Sequence, residues 1–192
     1  MNPRKLPPQP SNQGLVCSLA MHDVLQSIVF DESQNGFNGV PTNSPVPKYP
    51  GFDLVSGSSI YIDVGAGPSS VKTTSMWFKP DDVTAHTDSP IDLNGTDFLT
   101  VVNGTLTKNG FAGGTAILYT DGVAAAVTLT AGRWYHIGIT DTSAKNASDF
   151  DIGRETGNYT DGIVAGVRLY STLLTPVQMK NLYELTRWRF SI

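Results

Sequence analysis

Seven Asn-Gly or Asp-Gly pairs punctuate this chain, beginning at Asn35, Asn38, Asn94, Asn103, Asn109, Asp121 and Asp161. Asn, Asp and Gly tolerate the positive φ that two-residue hairpin turns demand, so most of these pairs are expected at the corners of an antiparallel structure. The segments between them have the matching period. Short β-rich runs recur at Leu15 to Met21, Ile28 to Phe30, Ile60 to Val64, Thr74 to Phe78, Phe98 to Val102, Ala116 to Thr120, Trp134 to Thr140 and Val164 to Tyr170. Ile60, Ile62 and Val64 alternate with polar neighbours, and Ile163, Ala165, Val167 and Leu169 repeat the pattern, as strands do when one face lies on a core. With 19 Gly, 12 Pro and only 16% charged residues, the composition suits short strands and tight turns. The expected class is all-β, a two-sheet antiparallel sandwich, and 192 residues are enough for one such domain.

One helix interrupts this pattern. Thr175-Pro176-Val177-Gln178 is a capping box with Pro at the first helical position, and Met179, Leu182 and Tyr183 follow at i, i+3, i+4 spacing. This predicts a short closing helix near residues 176–186. At the other end, residues 1–13 contain Pro3, Pro7, Pro8 and Pro10 around the lone apolar Leu6, apart from the initial Met, and have no strand period. They are expected to form an extended arm outside a domain spanning 14–192.

Charge and motif content exclude several functions. A net charge of −4 with no basic run beyond Arg4-Lys5 gives nothing to neutralise phosphates, so no nucleic-acid partner is expected. No apolar stretch is long enough to span a bilayer, and no membrane partner is expected. The single cysteine, Cys17, falls within an alternating apolar run and reads as a core thiol. His22, His86 and His136 are too scattered for a zinc site. No strand has the run of alternating carboxylates that would place an acid and a nucleophile on either side of a glycosidic bond, and Asp149 to Glu155 reads as a solvated strand edge. The expectation is therefore a protein that is not an enzyme.

The order of motifs brings in a resemblance. Gly14-Leu15-Val16, the loop DESQNGFNG (31–39), FDLVSGSSIYIDVG (52–65), SMWFKPD (75–81), LTAGRWYHIGIT (129–140) and YTDGIVAGVRLYSTLLTPVQMKNLYE (159–184) together resemble the concanavalin A-like, laminin-G-like and pentraxin-like jelly rolls, over nearly all of Gly14 to Glu184. The resemblance implies a jelly-roll sandwich whose chemistry is binding. Two departures stand out: Leu118-Tyr119-Thr120-Asp121-Gly122 precedes Trp134 rather than following it, and Ala165-Gly166 occupies the place of an acidic pair. No cofactor is expected. Calcium is the alternative that Asp31, Asn35 and Asn38 leave open, against the reading that the same side chains close Asx turns. For a glycan, Phe111, Tyr159 and Asp161 beside turns are the candidate contacts, while Trp77 and Trp134 are assigned to the core and His136 to packing.

A Met-initiated start without an export signal, and a Pro-rich arm, suit a protein assembled inside the producing cell; similar jelly rolls occur in bacteriophage heads and fibres. The functional expectation is thus a non-catalytic virion structural protein, a capsid decoration or fibre component assembled in the host cytoplasm. Its arm (Pro3, Leu6, Pro7, Pro8, Pro10) would clasp a capsid or other virion protein, and the protein would form a homo-oligomer. The alternative is a carbohydrate-binding module or lectin for a surface glycan.

Overall fold

The computed structural model describes residues 12–21, 28–84, 86–125 and 127–191. In chain order its strands are β1 (Leu15–Leu19), β2 (Val40–Thr42), β3 (Val46–Lys48), β4 (Gly51–Leu54), β5 (Tyr61–Gly65), β6 (Val71–Pro80), β7 (Thr87–Asp92), β8 (Phe98–Val102), β9 (Thr105–Asn109), β10 (Ala116–Thr120), β11 (Tyr135–Lys145), β12 (Phe150–Ile152), β13 (Arg154–Glu155), β14 (Asn158–Tyr159) and β15 (Gly162–Tyr170). One α-helix, α1 (Pro176–Thr186), follows, and a 3-10 turn (Arg187–Phe190) continues it. The arm residues Pro3, Leu6, Pro7, Pro8 and Pro10 lie outside the described residues, as does His22.

Thirteen of the strands form two antiparallel sheets, and β13 and β14 pair with each other as a separate two-stranded sheet. The seven-stranded sheet runs β10-β11-β6-β15-β4-β3, with β1 joined to β15; the six-stranded sheet runs β2-β5-β12-β7-β8-β9. Along one edge of β15, β4 pairs with residues 162–164 and β1 with residues 167–170. Between the sheets lies the core, with Phe52, Leu54, Phe78, Ile137 and Leu169 facing Ile62, Leu99, Phe150 and Ile152. Cys17 is among them, fully buried, and burial pushes its thiol pKa up so that it stays protonated. The all-β sandwich with one short C-terminal helix is thus the observed architecture. At the hairpin tips, Asn103-Gly104 and Asp121-Gly122 place both residues at positive φ, as primed turns require.

The helix begins where its cap predicts. The Thr175 hydroxyl accepts from the Gln178 N–H, and the Gln178 side chain accepts from the Thr175 N–H. Met179 and Leu182 then pack onto Tyr119, Tyr170 and Leu174 on the outer face of the seven-stranded sheet. Gly138 lets the helix lie directly on this sheet, since a Cβ there would fall 2.6 Å from the Thr74 carbonyl and 2.9 Å from Met179 Cε.

The same outer face holds a third cluster, in which Trp77, Ala165 and Phe190 pack with Trp134 and Tyr183. Phe190 stacks on Trp77 at 4.1 Å between ring centroids, and Trp134 meets Phe190 edge-on at 4.8 Å. The two tryptophans assigned to the core thus pack in this outer cluster with the C-terminal segment, on the far side of the sheet.

One alternation reads differently in space. Ile163 pairs with Lys79 and Asp53, and Ala165 packs on Trp77 on the outer face, whereas Val167 and Leu169 point into the central core. The cause is a bulge between Ala165 and Arg168, where Gly166 takes φ +55. An extra residue at positive φ inverts the facing of everything after it. The bulge thereby turns Arg168 and Tyr170 outward.

Candidate functional site

With the facing inverted, Ser18 of β1, Arg168 of β15, Ser75 of β6 and Gly138 of β11 stand in register in one row across the outer face. Cross-strand neighbours share a face, so this row forms a floor. The C-terminal turn stands beside it. Between them lies a cleft of about 420 Å³, walled by Arg168 and Tyr170 from the sheet and by Thr186, Trp188 and Arg189 from the end of α1 and its turn. Asn12 and Glu32 enter from the two segments flanking β1. The volume lies in the range of small-molecule sites.

Each wall has a reason in local sequence. Thr186 Oγ1 donates to the Leu182 carbonyl and accepts the Trp77 indole N–H at 3.0 Å, which ties the helix end to the sheet. Trp188 is 72% exposed, yet its own indole N–H donates to the Leu185 carbonyl at 2.9 Å, so the ring is held by one edge with its body in solvent. Glu32 is placed by its neighbour. The Asp31 carboxylate accepts from the N–H groups of Ser18, Ser33 and Phe37 and from the Ser33 hydroxyl, at 2.8 to 3.1 Å. Glu32 N–H in turn donates to the Ser18 carbonyl. Asn38 accepts from Asp31 N–H, while Asn35 donates to the Val16 carbonyl and to Ser33. Asp31, Asn35 and Asn38 are thus used in closing the loop against β1, in the manner of Asx turns.

The floor continues under the arginines. Ser75, His136, Arg168 and Arg189 line a smaller void of about 10 Å³ that shares Arg168, Thr186 and Arg189 with the cleft. Ser75 Oγ and His136 Nδ1 are buried there with no hydrogen-bond partner among the described residues. His136 is held neutral: burial, then the charge of Arg168, lowers its pKa to about 3. Burial also raises the Tyr170 phenol. Among the described residues neither Arg168 nor Arg189 forms an ion pair, while Arg133, Arg154 and Arg187 all do. In a chain of net charge −4 the cleft is a local positive field, tempered by Glu32.

The candidate glycan contacts read from the sequence lie elsewhere. Phe111 is 6% exposed, sits in the central core and offers no face to a ligand. Tyr159 is half-buried with its ring 6.2 Å from Tyr61, and Asp161 is half-buried with its N–H on the Asp88 carboxylate. These two adjoin the polar outer face of the six-stranded sheet, whereas Phe111 does not join them.

That face holds a row of carboxylates. Asp63, Asp151 and Asp92 are direct cross-strand partners on β5, β12 and β7. Asp151 is no solvated edge residue: it is 2% exposed, central in its sheet, and paired with Arg154, whose guanidinium also covers the Tyr61 ring at 4.0 Å. Burial raises the Asp151 pKa to about 6, against the pull of Arg154. Asp92 is raised by burial too, although the N–H groups of Gly95 and Asn94 hold it down. Asp88, raised by burial, faces His86 at 3.0 Å. A search for carboxylates along one strand does not find a row that runs across three.

No protein-family model matches the chain, and no curated protein matches its sequence. Solved structures do share its fold. Trypanosoma rangeli sialidase in complex with sialic acid superposes with a TM-score of 0.61 at 16% identity, over 93% of this chain and 34% of that one. Domain 4 of AbnA, a GH43 extracellular arabinanase from Geobacillus stearothermophilus, in complex with arabinotriose, gives 0.58 at 16% identity, over 88% of this chain and 98% of that one. The chain therefore spans about a third of the sialidase and the whole of the arabinanase domain. At this identity the likeness is one of fold. The expectation that the chain is not an enzyme does not stand, because chains that share the fold include those of a sialidase and an arabinanase; lack of one strand-local carboxylate pattern was no ground for setting glycoside chemistry aside.

Proposed function

We propose that this protein binds carbohydrate, in the cleft between β1, β15 and the C-terminal turn. The observation that carries the reading is Trp188, an indole 72% exposed and tethered by its N–H at the wall of a polar cleft of about 420 Å³. A sugar presents an apolar ring face and a rim of hydroxyls. An aromatic plate with fixed orientation takes the first, and Asn12, Ser18, Glu32, Arg168 and Arg189 supply donors and acceptors for the second. The arabinanase domain of the same fold, whose structure is a complex with arabinotriose, supports the reading by analogy of fold. The virion-assembly role expected from the sequence rests on arm residues outside the described ones, and no described residue favours it.

A glycan array followed by titration calorimetry tests the proposal. A Trp188→Ala variant is expected to weaken binding at least about tenfold, as loss of a central aromatic contact does, while its Tm stays within about 2 °C because the ring is mostly in solvent. Unchanged affinity in that variant refutes the cleft as the site.

A further inference from the structure

We infer that the cleft selects an acidic sugar, with the carboxylate of a uronic-acid-type residue seated between Arg168 and Arg189 while its ring lies on Trp188. This rests on the carbohydrate-binding reading and narrows it to a ligand class. Two guanidiniums share one cleft, and among the described residues neither has a carboxylate within ion-pair distance. Elsewhere in this chain, Arg133, Arg154 and Arg187 are each matched to Asp121, Asp151 and Glu184. The two cleft arginines are the exceptions among the described residues, and a guanidinium's planar donor fork fits a carboxylate in two parallel hydrogen bonds.

The floor beneath them leaves the sign set by the arginines unchanged. Ser75 Oγ and His136 Nδ1 are buried and unpartnered in the void that Arg168 and Arg189 roof. The neutral imidazole adds no charge, so the arginines' field is neither cancelled from below nor supplemented. Among the described residues Glu32 is the one acid on the wall. It leaves a net charge near +1, suited to a single anionic group rather than a polyanion, and as a pure acceptor it takes sugar hydroxyls. The bulge at Gly166 aims Arg168 here, and a strand without that bulge would point the residue into the core.

The test uses matched probes differing only at C6: trigalacturonic acid and galactotriose, with 6-O-sulfated galactotriose as a third. Calorimetry on the full chain is expected to show trigalacturonic acid bound at least about tenfold more tightly than galactotriose, the factor one charge-assisted hydrogen bond supplies. Arg168→Gln and Arg189→Gln are each expected to bring that ratio to within about threefold, because losing a charge-assisted bond weakens the acidic ligand more than losing a hydroxyl contact weakens the neutral one. Arg168→Lys keeps the charge and the aliphatic stem over the void and serves if the glutamine variant unfolds; without the planar fork it should lower the preference for the acidic trisaccharide. Equal binding of the acidic and neutral trisaccharides, both lost in Trp188→Ala, overturns the inference and leaves the carbohydrate reading standing. Preference for the sulfate ester over the uronic acid also overturns it. Binding of none of the three overturns both.

Discussion

Replacing Phe190 by alanine tests whether the C-terminal turn is part of the fold. The ring is buried, stacks on Trp77 at 4.1 Å with 18° between planes, and takes the edge of Trp134 at 4.8 Å. Burying a phenylalanine of roughly 150 Å² or more is worth about 4 kcal/mol at 25 cal/mol/Å², and an aromatic contact adds about 1 kcal/mol. The methyl left behind and the freedom of a chain end to settle reduce this, so the expected cost is about 3 kcal/mol, at the low end for Phe→Ala. For a domain of this size each kcal/mol lowers Tm by about 2–4 °C, which puts the fall at about 6–12 °C. Differential scanning fluorimetry reads it, and tryptophan emission should shift to the red as Trp77 gains water. Phe190→Leu, which keeps most of the volume and loses the stack, should cost about 1 kcal/mol. A fall under about 3 °C in the alanine variant, with unshifted emission, shows that the turn does not cover Trp77 in solution and removes the wall that holds Trp188 and Arg189.

Three further outcomes follow from the same structure. Asp151 titrates at about 6 when folded, above its ordinary 3.8, so the folded state holds the extra proton; this residue's contribution is fullest below about pH 4 and is lost as pH rises through about 6. The Tm difference between wild type and Asp151→Asn should therefore change across that interval and be flat above about pH 7, and parallel curves refute the buried assignment. Asp31→Ala should cost about 3 kcal/mol by stranding the Ser18, Ser33 and Phe37 N–H groups, whereas EDTA should shift the wild-type Tm by less than about 1 °C; a chelator effect above about 4 °C restores calcium to that loop. Gly138→Val should lower Tm by about 4 °C or more because its side chain meets Met179 and the Thr74 carbonyl, and a neutral result in thermal melts means the helix does not lie on β11.

Local signals in the sequence were legible and facing was not. The capping box at Thr175 and Gln178 fixes the start of α1 because both partners lie within four residues. The alternating runs locate most long strands, since each reports its own burial. Strand β7 escapes: Asp88 and Pro90 make Thr87–Asp92 read as a loop, and the pairing with β8 is irregular between Asp88 and Ile91, which accommodates the proline. The site depends on facing. Ile163 to Leu169 looks like one continuous apolar face, and only the bulge at Gly166 reveals that Arg168 emerges opposite to where the alternation puts it. The signal for it was Ala165-Gly166, read as a missing acidic pair when its content was a glycine at positive φ. Trp188 and Arg189 had no period to mark them, and Glu32 gained a role only once Asp31 was seen to pin the loop to β1.

The claim that sugar enters this cleft is tested most directly by heteronuclear NMR of the side-chain N–H groups while galactotriose and trigalacturonic acid are added in turn. The three tryptophan indoles serve as reporters at different depths: Trp188 in solvent, Trp134 partly covered and Trp77 buried against Thr186. The account predicts that the Trp188 indole and the Arg168 and Arg189 Nε–H resonances shift together, with the arginine shifts larger for the acidic trisaccharide and Trp77 little changed. Shifts confined to the Tyr61, Tyr159 and Arg154 face of the other sheet, with Trp188 unmoved, would contradict it.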